Sequence, residues 1–172
     1  MELGRRVALR AEYRMLIDGS LVTASDGAEI DNVSPATGAV LGAVAAAGGG
    51  RGGTPAAAAR RAFGAGDWST NRALRKRCLE QLQNALEAEK ELLREELVAE
   101  VGCPVMTTQS AQLDWPLTES LRYPSHLIDD FTWERVLDGG GLFGERNVRM
   151  VVKEPAGVVA AITPSNFPIE VI

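Results

Sequence analysis

EPAGVVAAITPSNFP, residues Glu154 to Pro168, holds a turn, an apolar run and a second, stiffened turn. Pro155-Ala156-Gly157 predicts the first turn. Val158 to Ile162, VVAAI, is apolar on both faces, the pattern of a strand inside a parallel sheet. Such a strand needs parallel neighbours, and helical crossovers must deliver them. No later strand follows in this sequence; the chain runs through Thr163-Pro164-Ser165-Asn166-Phe167-Pro168 and reaches Ile172 at what reads as the first turn of a helix. The expectation is a polypeptide cut within its first βα unit. Asn166 lies four residues past the strand, at the carboxyl edge where open α/β sheets place ligands. Pro164 and Pro168 stiffen the turn that presents it. A rigid neutral amide suits an oxyanion, because it stabilises developing negative charge without a proton to lose. Taken alone, a turn-forming or capping asparagine is the plainer account.

Upstream, Asn147 to Glu154, NVRMVVKE, sets Val148, Met150 and Val152 on one face and Arg149, Val151 and Lys153 on the other. That alternation predicts a half-exposed antiparallel strand. Leu113 to Trp133 reads as partly helical, with Pro116 and Pro124 limiting the pieces. Asn71 to Gly102 is a long helical stretch. Leu74, Cys78, Leu82 and Leu86 recur along it, then Leu93, Leu97 and Val101, after a polar interval from Glu87 to Glu91. It is either two helices or one with a break, and Cys103-Pro104 ends it. Thr54-Pro55 opens an earlier helix that Gly64 closes. The first fifty residues read as strands and turns. Asp18-Gly19 predicts a hairpin over Met15 to Thr23, with further turns at Ser25-Asp26-Gly27 and Ser34 to Gly38 and a β-capable stretch Ala39 to Val44.

Composition narrows the function classes. The 172 residues suit one domain, and 45% apolar with 24% charged residues is an ordinary globular profile. A net charge of -5, with no basic run longer than Arg75-Lys76-Arg77, excludes a phosphate-backbone footprint. Nucleic acid is not an expected partner. Asn32 to Gly50 carries no charge but is mostly Ala and Gly, too poor in hydrocarbon for a membrane span. The charged opening, MELGRRVALRAEYR, lacks the apolar centre of a secretory signal. A cytoplasmic protein with reduced thiols and no membrane partner is expected.

Cys78, Cys103 and His126 are too few for a zinc site, so no metal is expected. Cys78 falls on the apolar stripe and reads as buried filler, and Cys103 stands at a helix end where a thiolate gains nothing. His126 has Asp129 and Asp130 at helical spacing, which predicts a surface ion pair, while Ser125 faces elsewhere. The glutamates from Glu80 to Glu100, with Lys90 and Arg94, read as a solvated face. Gly48 to Gly53, GGGRGG, satisfies G-x-G-x-x-G between a strand and a helix, but its low complexity favours a flexible linker.

Taken together, the motifs resemble the N-terminal part of NAD(P)-dependent aldehyde dehydrogenases. The resemblance rests on Glu154 to Pro168, supported by LIDGSLV (Leu16 to Val22) and SPATGAVLGAV (Ser34 to Val44). AFGAGDWS (Ala62 to Ser69) and VGCP (Val101 to Pro104) follow in the family's order, so the match spans about Met15 to Ile172. It implies an α/β fold: β-hairpins, helices and the first strand of a Rossmann-type parallel sheet, truncated. The implied parts are an extension over 1–14, the opening of the cofactor domain over 15–136, an oligomerisation-arm segment over 137–156, and the incomplete first strand and turn over 157–172. The implied activity is oxidation of an aldehyde to a carboxylic acid with NAD or NADP, through a cysteine thiohemiacetal, in a homo-oligomer. Asn166 is then the oxyanion donor, and Ile162, Thr163, Pro164, Ser165 and Asn166 line the cofactor cleft. Two positions depart from the family: Ser165 stands where an aromatic residue is usual, and Cys103 where a lysine is common. By the same resemblance, the nucleophile, the glutamate base and the main phosphate-binding segment lie beyond Ile172, so the chain itself is expected to be inactive.

Two rivals stand beside this. The chain could act without catalysis, as a remnant or an oligomerisation fragment that pairs with intact subunits. Or it could be an unrelated α+β binding module using Asn32 to Gly53.

Overall fold

A computed structural model describes residues 12–47, 53–140 and 147–171. The strands among them are β1 (Met15–Ile17), β2 (Ser20–Val22), β3 (Glu29–Val33), β4 (Val40–Ala45), β5 (Glu134–Leu137) and β6 (Arg149–Val152). The helices are α1 (Gly53–Ala65), α2 (Arg72–Ala88), α3 (Lys90–Glu100), α4 (Val105–Thr108), α5 (Asp114–Glu119) and α6 (Arg122–Asp130). The strands form three two-stranded antiparallel sheets, β1-β2, β3-β4 and β5-β6.

The turn chemistry acts where the sequence places it. Asp18 and Gly19 both take positive φ, 55° and 74°, and close β1 on β2 with Ile17 opposite Ser20. In the Ser34 to Gly38 turn, the Gly38 N–H donates to the Ser34 carbonyl at 2.8 Å and the Ser34 N–H to the Ala39 carbonyl at 2.9 Å. This turn packs on the end of α3: a Cβ added at Gly102, φ +70°, would lie 2.7 Å from Pro35 Cγ. The side-chain amide of Asn32 also donates to Glu100, so the β3-β4 hairpin is tied to the helix by polar and apolar contacts.

Asn71 to Gly102 resolves into two helices. Asn71 caps α2, its Oδ1 accepting from the Leu74 N–H at 2.9 Å. Glu89, at φ -97° and ψ 13°, is the break. The buried face of α2 is rotated from the predicted stripe: Leu82 is 46% exposed and Gln83 is buried at 2%. At about 100° per residue, Gln83 lies roughly 60° from Leu86, which packs on the core cluster, and about 100° from Leu82, so the core face runs through Gln83 and Leu86. Cys78, expected as filler on that stripe, is half-buried. Gln83 is accommodated by donating to the Leu117 carbonyl and, at 2.7 Å, to Glu87 Oε1.

Leu97, Cys103, Leu113 and Leu117 form the core cluster, with Leu86, Leu93, Val98, Val101 and Ile169 packed around it. Pro116 and Pro124 stand at the third residue of α5 and α6, inside first turns that lack amide partners in any case. They limit the starts of these helices. Helix α1 begins at Gly53, one residue before the expected Thr54 cap. The Gly48 to Gly53 motif otherwise lies outside the described residues, as does the 1–14 extension up to residue 11.

β6 pairs with β5 in the predicted antiparallel sense. Its apolar side is open: Val136 is 68% exposed, Met150 50% and Val152 51%. The Trp133 ring next to β5 lies under Arg72, 4.6 Å from guanidinium carbon to ring centroid, and 4.7 Å from the Phe131 ring, which fastens the hairpin to α2. Val158 to Ile162 carries no ladder, contrary to the expected buried strand; Val159 is 76% and Ile162 98% exposed. A parallel strand takes its hydrogen bonds and its cover from neighbours, and no strand lies beside it among the described residues.

Candidate active site

Ile162, Thr163, Pro164, Ser165 and Asn166 are all exposed and follow one another along an open edge. The segment then turns inward. The Val171 N–H donates to the Phe167 carbonyl at 3.2 Å, one helical turn, and Ile169 packs on the core cluster. Asn166 donates no side-chain hydrogen bond to a described residue, whereas its backbone carbonyl accepts from Gln112 Nε2 at 2.9 Å.

Gln112 sits in the α4–α5 connection and is 6% exposed. Its own N–H donates to the Thr107 carbonyl at 3.0 Å. Two residues on, Asp114 is clamped from α3: Lys90 Nζ lies 3.0 Å and Arg94 NH2 2.9 Å from Asp114 Oδ1. Arg94 also donates to Thr108 Oγ1 at 2.8 Å and pairs with Glu91 at 3.0 Å. This corrects the expectation of a solvated face for Arg94, whose side chain is 14% exposed. Hydrogen bonding to Glu91, ahead of that to Asp114, raises the Arg94 guanidinium further above its ordinary range. For Asp114, burial acts to raise the carboxyl, but hydrogen bonds from Lys90 and Arg94 outweigh it and hold the group below its usual value. The linker that carries Gln112 is therefore fixed electrostatically as well as by Leu113, which is fully buried.

The two cysteines differ in burial. Cys103 is in the core and its Sγ donates to the Leu97 carbonyl at 3.5 Å; Cys78 is half-buried on α2. The expected His126 ion pair is replaced, because Asp129 is taken by Lys76 of α2 and His126 is left exposed. Ser125 is buried and donates to the Arg122 carbonyl at 2.8 Å, away from any histidine partnership. Among the described residues no cluster of His, Cys, Asp or Glu could hold a metal, and no helix is long and apolar enough to cross a membrane.

The aldehyde dehydrogenase family pattern matches residues 22–172. The chain belongs to that family. Its similarity to individual aldehyde dehydrogenases covers nearly all of this chain and a minority of theirs. Aminoacetaldehyde dehydrogenase of Pseudomonas aeruginosa is 36% identical over 160 residues, 91% of this chain and 30% of the relative. The NADP/NAD-dependent aldehyde dehydrogenase PuuC of Escherichia coli is 30% identical over 167 residues, 96% of this chain and 32% of its own. Among solved structures, an indole-3-acetaldehyde dehydrogenase of P. syringae in complex with NAD+ and IAA superposes with a TM-score of 0.83 at 27% identity, covering 98% of this chain and 33% of that one. The chain thus spans about a third of the length of the relatives it matches. The α/β class expected from sequence agrees with that superposition, and the likeness argues against an unrelated binding module built on Asn32 to Gly53.

The family implies NAD or NADP, and the fit of the expected residues can be tested directly. A groove of about 630 Å³ includes Gly157 and another of about 510 Å³ includes Glu170, the two ends of the segment, yet neither is lined by Ile162 to Asn166. All five residues are exposed and lie outside these two grooves. Exposed along one side, they are open to a ligand from that direction.

Proposed function

We propose that this chain serves an NAD(P)-dependent oxidation of an aldehyde to a carboxylic acid, and that its share of the chemistry is the side-chain amide of Asn166. The observation that carries this is the turn itself. Its side chain is exposed, while its backbone is anchored to the buried Gln112 and continues into the core through Ile169. When a thiolate adds to an aldehyde carbonyl, the oxygen gains negative charge, and a fixed amide N–H stabilises it without competing proton loss. NAD(P)+ is the hydride acceptor of such an oxidation. Ile162 to Ser165 contribute one open edge beside that centre.

The 172-residue chain alone is proposed to be inactive, because Cys103 is held in the core and Cys78 is half-buried within α2. Mixed with NAD+ or NADP+ and a series of small aldehydes, it should give no increase in absorbance at the reduced-nicotinamide band. Joined in one polypeptide to the remaining C-terminal part of the Escherichia coli relative, it should support aldehyde-dependent reduction. Turnover by the chain alone would refute the assignment of its cysteines. A folded fusion that binds dinucleotide without oxidising aldehyde would refute the role given to the chain.

The open apolar side of the β5-β6 hairpin, Val136, Met150 and Val152, favours a second role as a pairing arm between subunits. Sedimentation of the fusion and of its Val136→Lys variant tests it: the substitution should lower the oligomeric state.

A further inference from the structure

Gln112 makes a contact that oxyanion chemistry alone does not require. It is nine-tenths buried, its Nε2 donates to the Asn166 carbonyl across 54 positions of sequence, and its Oε1 accepts from no described residue. A glutamine kept only for packing would have both ends satisfied or be replaced by an apolar side chain. Here one end is committed to a single peptide group. The orientation is set by chemistry, since the opposite amide rotamer would face oxygen against oxygen.

We propose that Gln112 is the positioning residue for the Asn166 amide. The catalytic consequence rests on the role proposed above for Asn166; the fastening itself does not. Asn166 has no side-chain hydrogen bond to a described residue, so the aim of its amide follows its backbone. Among the described residues, the bond from Gln112 is the one side-chain hydrogen bond made to the turn from Ile162 to Pro168. Pro164 and Pro168 restrict φ on either side, and Ile169 anchors the downstream end. Gln112 supplies the remaining restraint, at the peptide of the functional residue. It is itself held by the Thr107 carbonyl, the fully buried Leu113 and the clamped Asp114, so rigidity passes from α3 through Asp114 and Gln112 to Asn166. Misplacing a reacting group by about 1 Å costs on the order of 10²-fold in rate.

The test uses Gln112→Met and Gln112→Glu. Methionine keeps the length, removes the donor and also removes the unsatisfied oxygen, so global stability should hardly change. Glutamate keeps the shape but at neutral pH only accepts. In the 172-residue chain, amide exchange of the segment 163–171 should rise about 5- to 10-fold in Gln112→Met, the loss of one ordinary hydrogen bond, and at least as much in Gln112→Glu. Exchange in the β3-β4 hairpin and the urea midpoint of Gln112→Met should stay at their wild-type values. In the fusion with the Escherichia coli remainder, Gln112→Met should lower kcat about 10-fold or more with the aldehyde KM unchanged. Unaltered exchange at 163–171, or an increase spread over the whole chain in step with lost stability, would overturn the proposal. So would an unchanged kcat in Gln112→Met where Asn166→Ala lowers it. If Asn166→Ala itself leaves kcat unchanged, the oxyanion role fails, and the exchange data still decide whether Gln112 fastens the turn.

Discussion

Replacing Gly102 by alanine separates a backbone cost from a contact cost, because Gly102 combines φ +70° with a neighbour 2.7 Å from the site of the missing Cβ. The left-handed conformation costs an L residue about 1–2 kcal/mol. Forcing a methyl against Pro35 Cγ adds an overpacking cost of about 1–3 kcal/mol. Gly102→Ala should therefore destabilise the chain by about 2–5 kcal/mol, the sum of these two costs. Gly27 is the control. It has nearly the same φ, +70°, and nothing within 4 Å of its Cβ position, so Gly27→Ala should show the backbone cost alone. Pro35→Ala should relieve the steric part in the Gly102→Ala background and leave Gly27→Ala unaffected, giving a coupling of about 1–3 kcal/mol for the first pair and none for the second. Urea unfolding followed by far-ultraviolet circular dichroism measures all six chains. Equal losses for the two glycines, or no coupling to Pro35, would show that the Ser34 to Gly38 turn does not rest on the end of α3.

Leu113 is fully buried in the core cluster, and Leu113→Ala should cost about 3 kcal/mol in the same urea assay. A loss below about 1 kcal/mol would mean the cluster is not packed as described. The Asp114 carboxyl lies below its unfolded value, so its contribution to stability is fully present above about pH 4 and is lost as pH falls through the folded pKa. Asp114→Asn should flatten that acid limb of the stability curve, and an unchanged pH profile would remove the Lys90–Asp114–Arg94 clamp. Val159 and Ile162, 76% and 98% exposed, should make the chain bind an apolar fluorescent dye strongly, and Val159→Ser with Ile162→Ser should reduce the signal. Weak binding by the unaltered chain would show that this edge is covered.

Residues with special backbone chemistry were the readable part of the sequence. Asp18-Gly19 and the Ser34 to Gly38 turn each fix a local conformation, so the structure repeats them. The polar interval at Glu87 to Glu91 contains the break between α2 and α3, at Glu89. What the sequence concealed depends on partners far along the chain. Gln83 is buried because the Leu117 carbonyl meets it, and Arg94 because Thr108 and Asp114 converge on it from α4 and α5. Lys76 displaces His126 as the partner of Asp129 in the same way. Gln112 belongs to this class: nothing in SAQLD marks it, and its tie to Asn166 emerges only when the α4–α5 connection meets the turn. The apolar run VVAAI announced a strand by composition, but a ladder needs neighbours, and pattern alone does not supply them.

The most direct measurement is the turnover number of Asn166→Ala in the fusion of this chain to the Escherichia coli remainder, with folding and dinucleotide binding checked on the same preparation. An amide that stabilises the oxyanion predicts a fall in kcat of roughly 10²–10³ at unchanged fold. A variant that oxidises aldehyde at the parent rate would contradict the role assigned to Asn166.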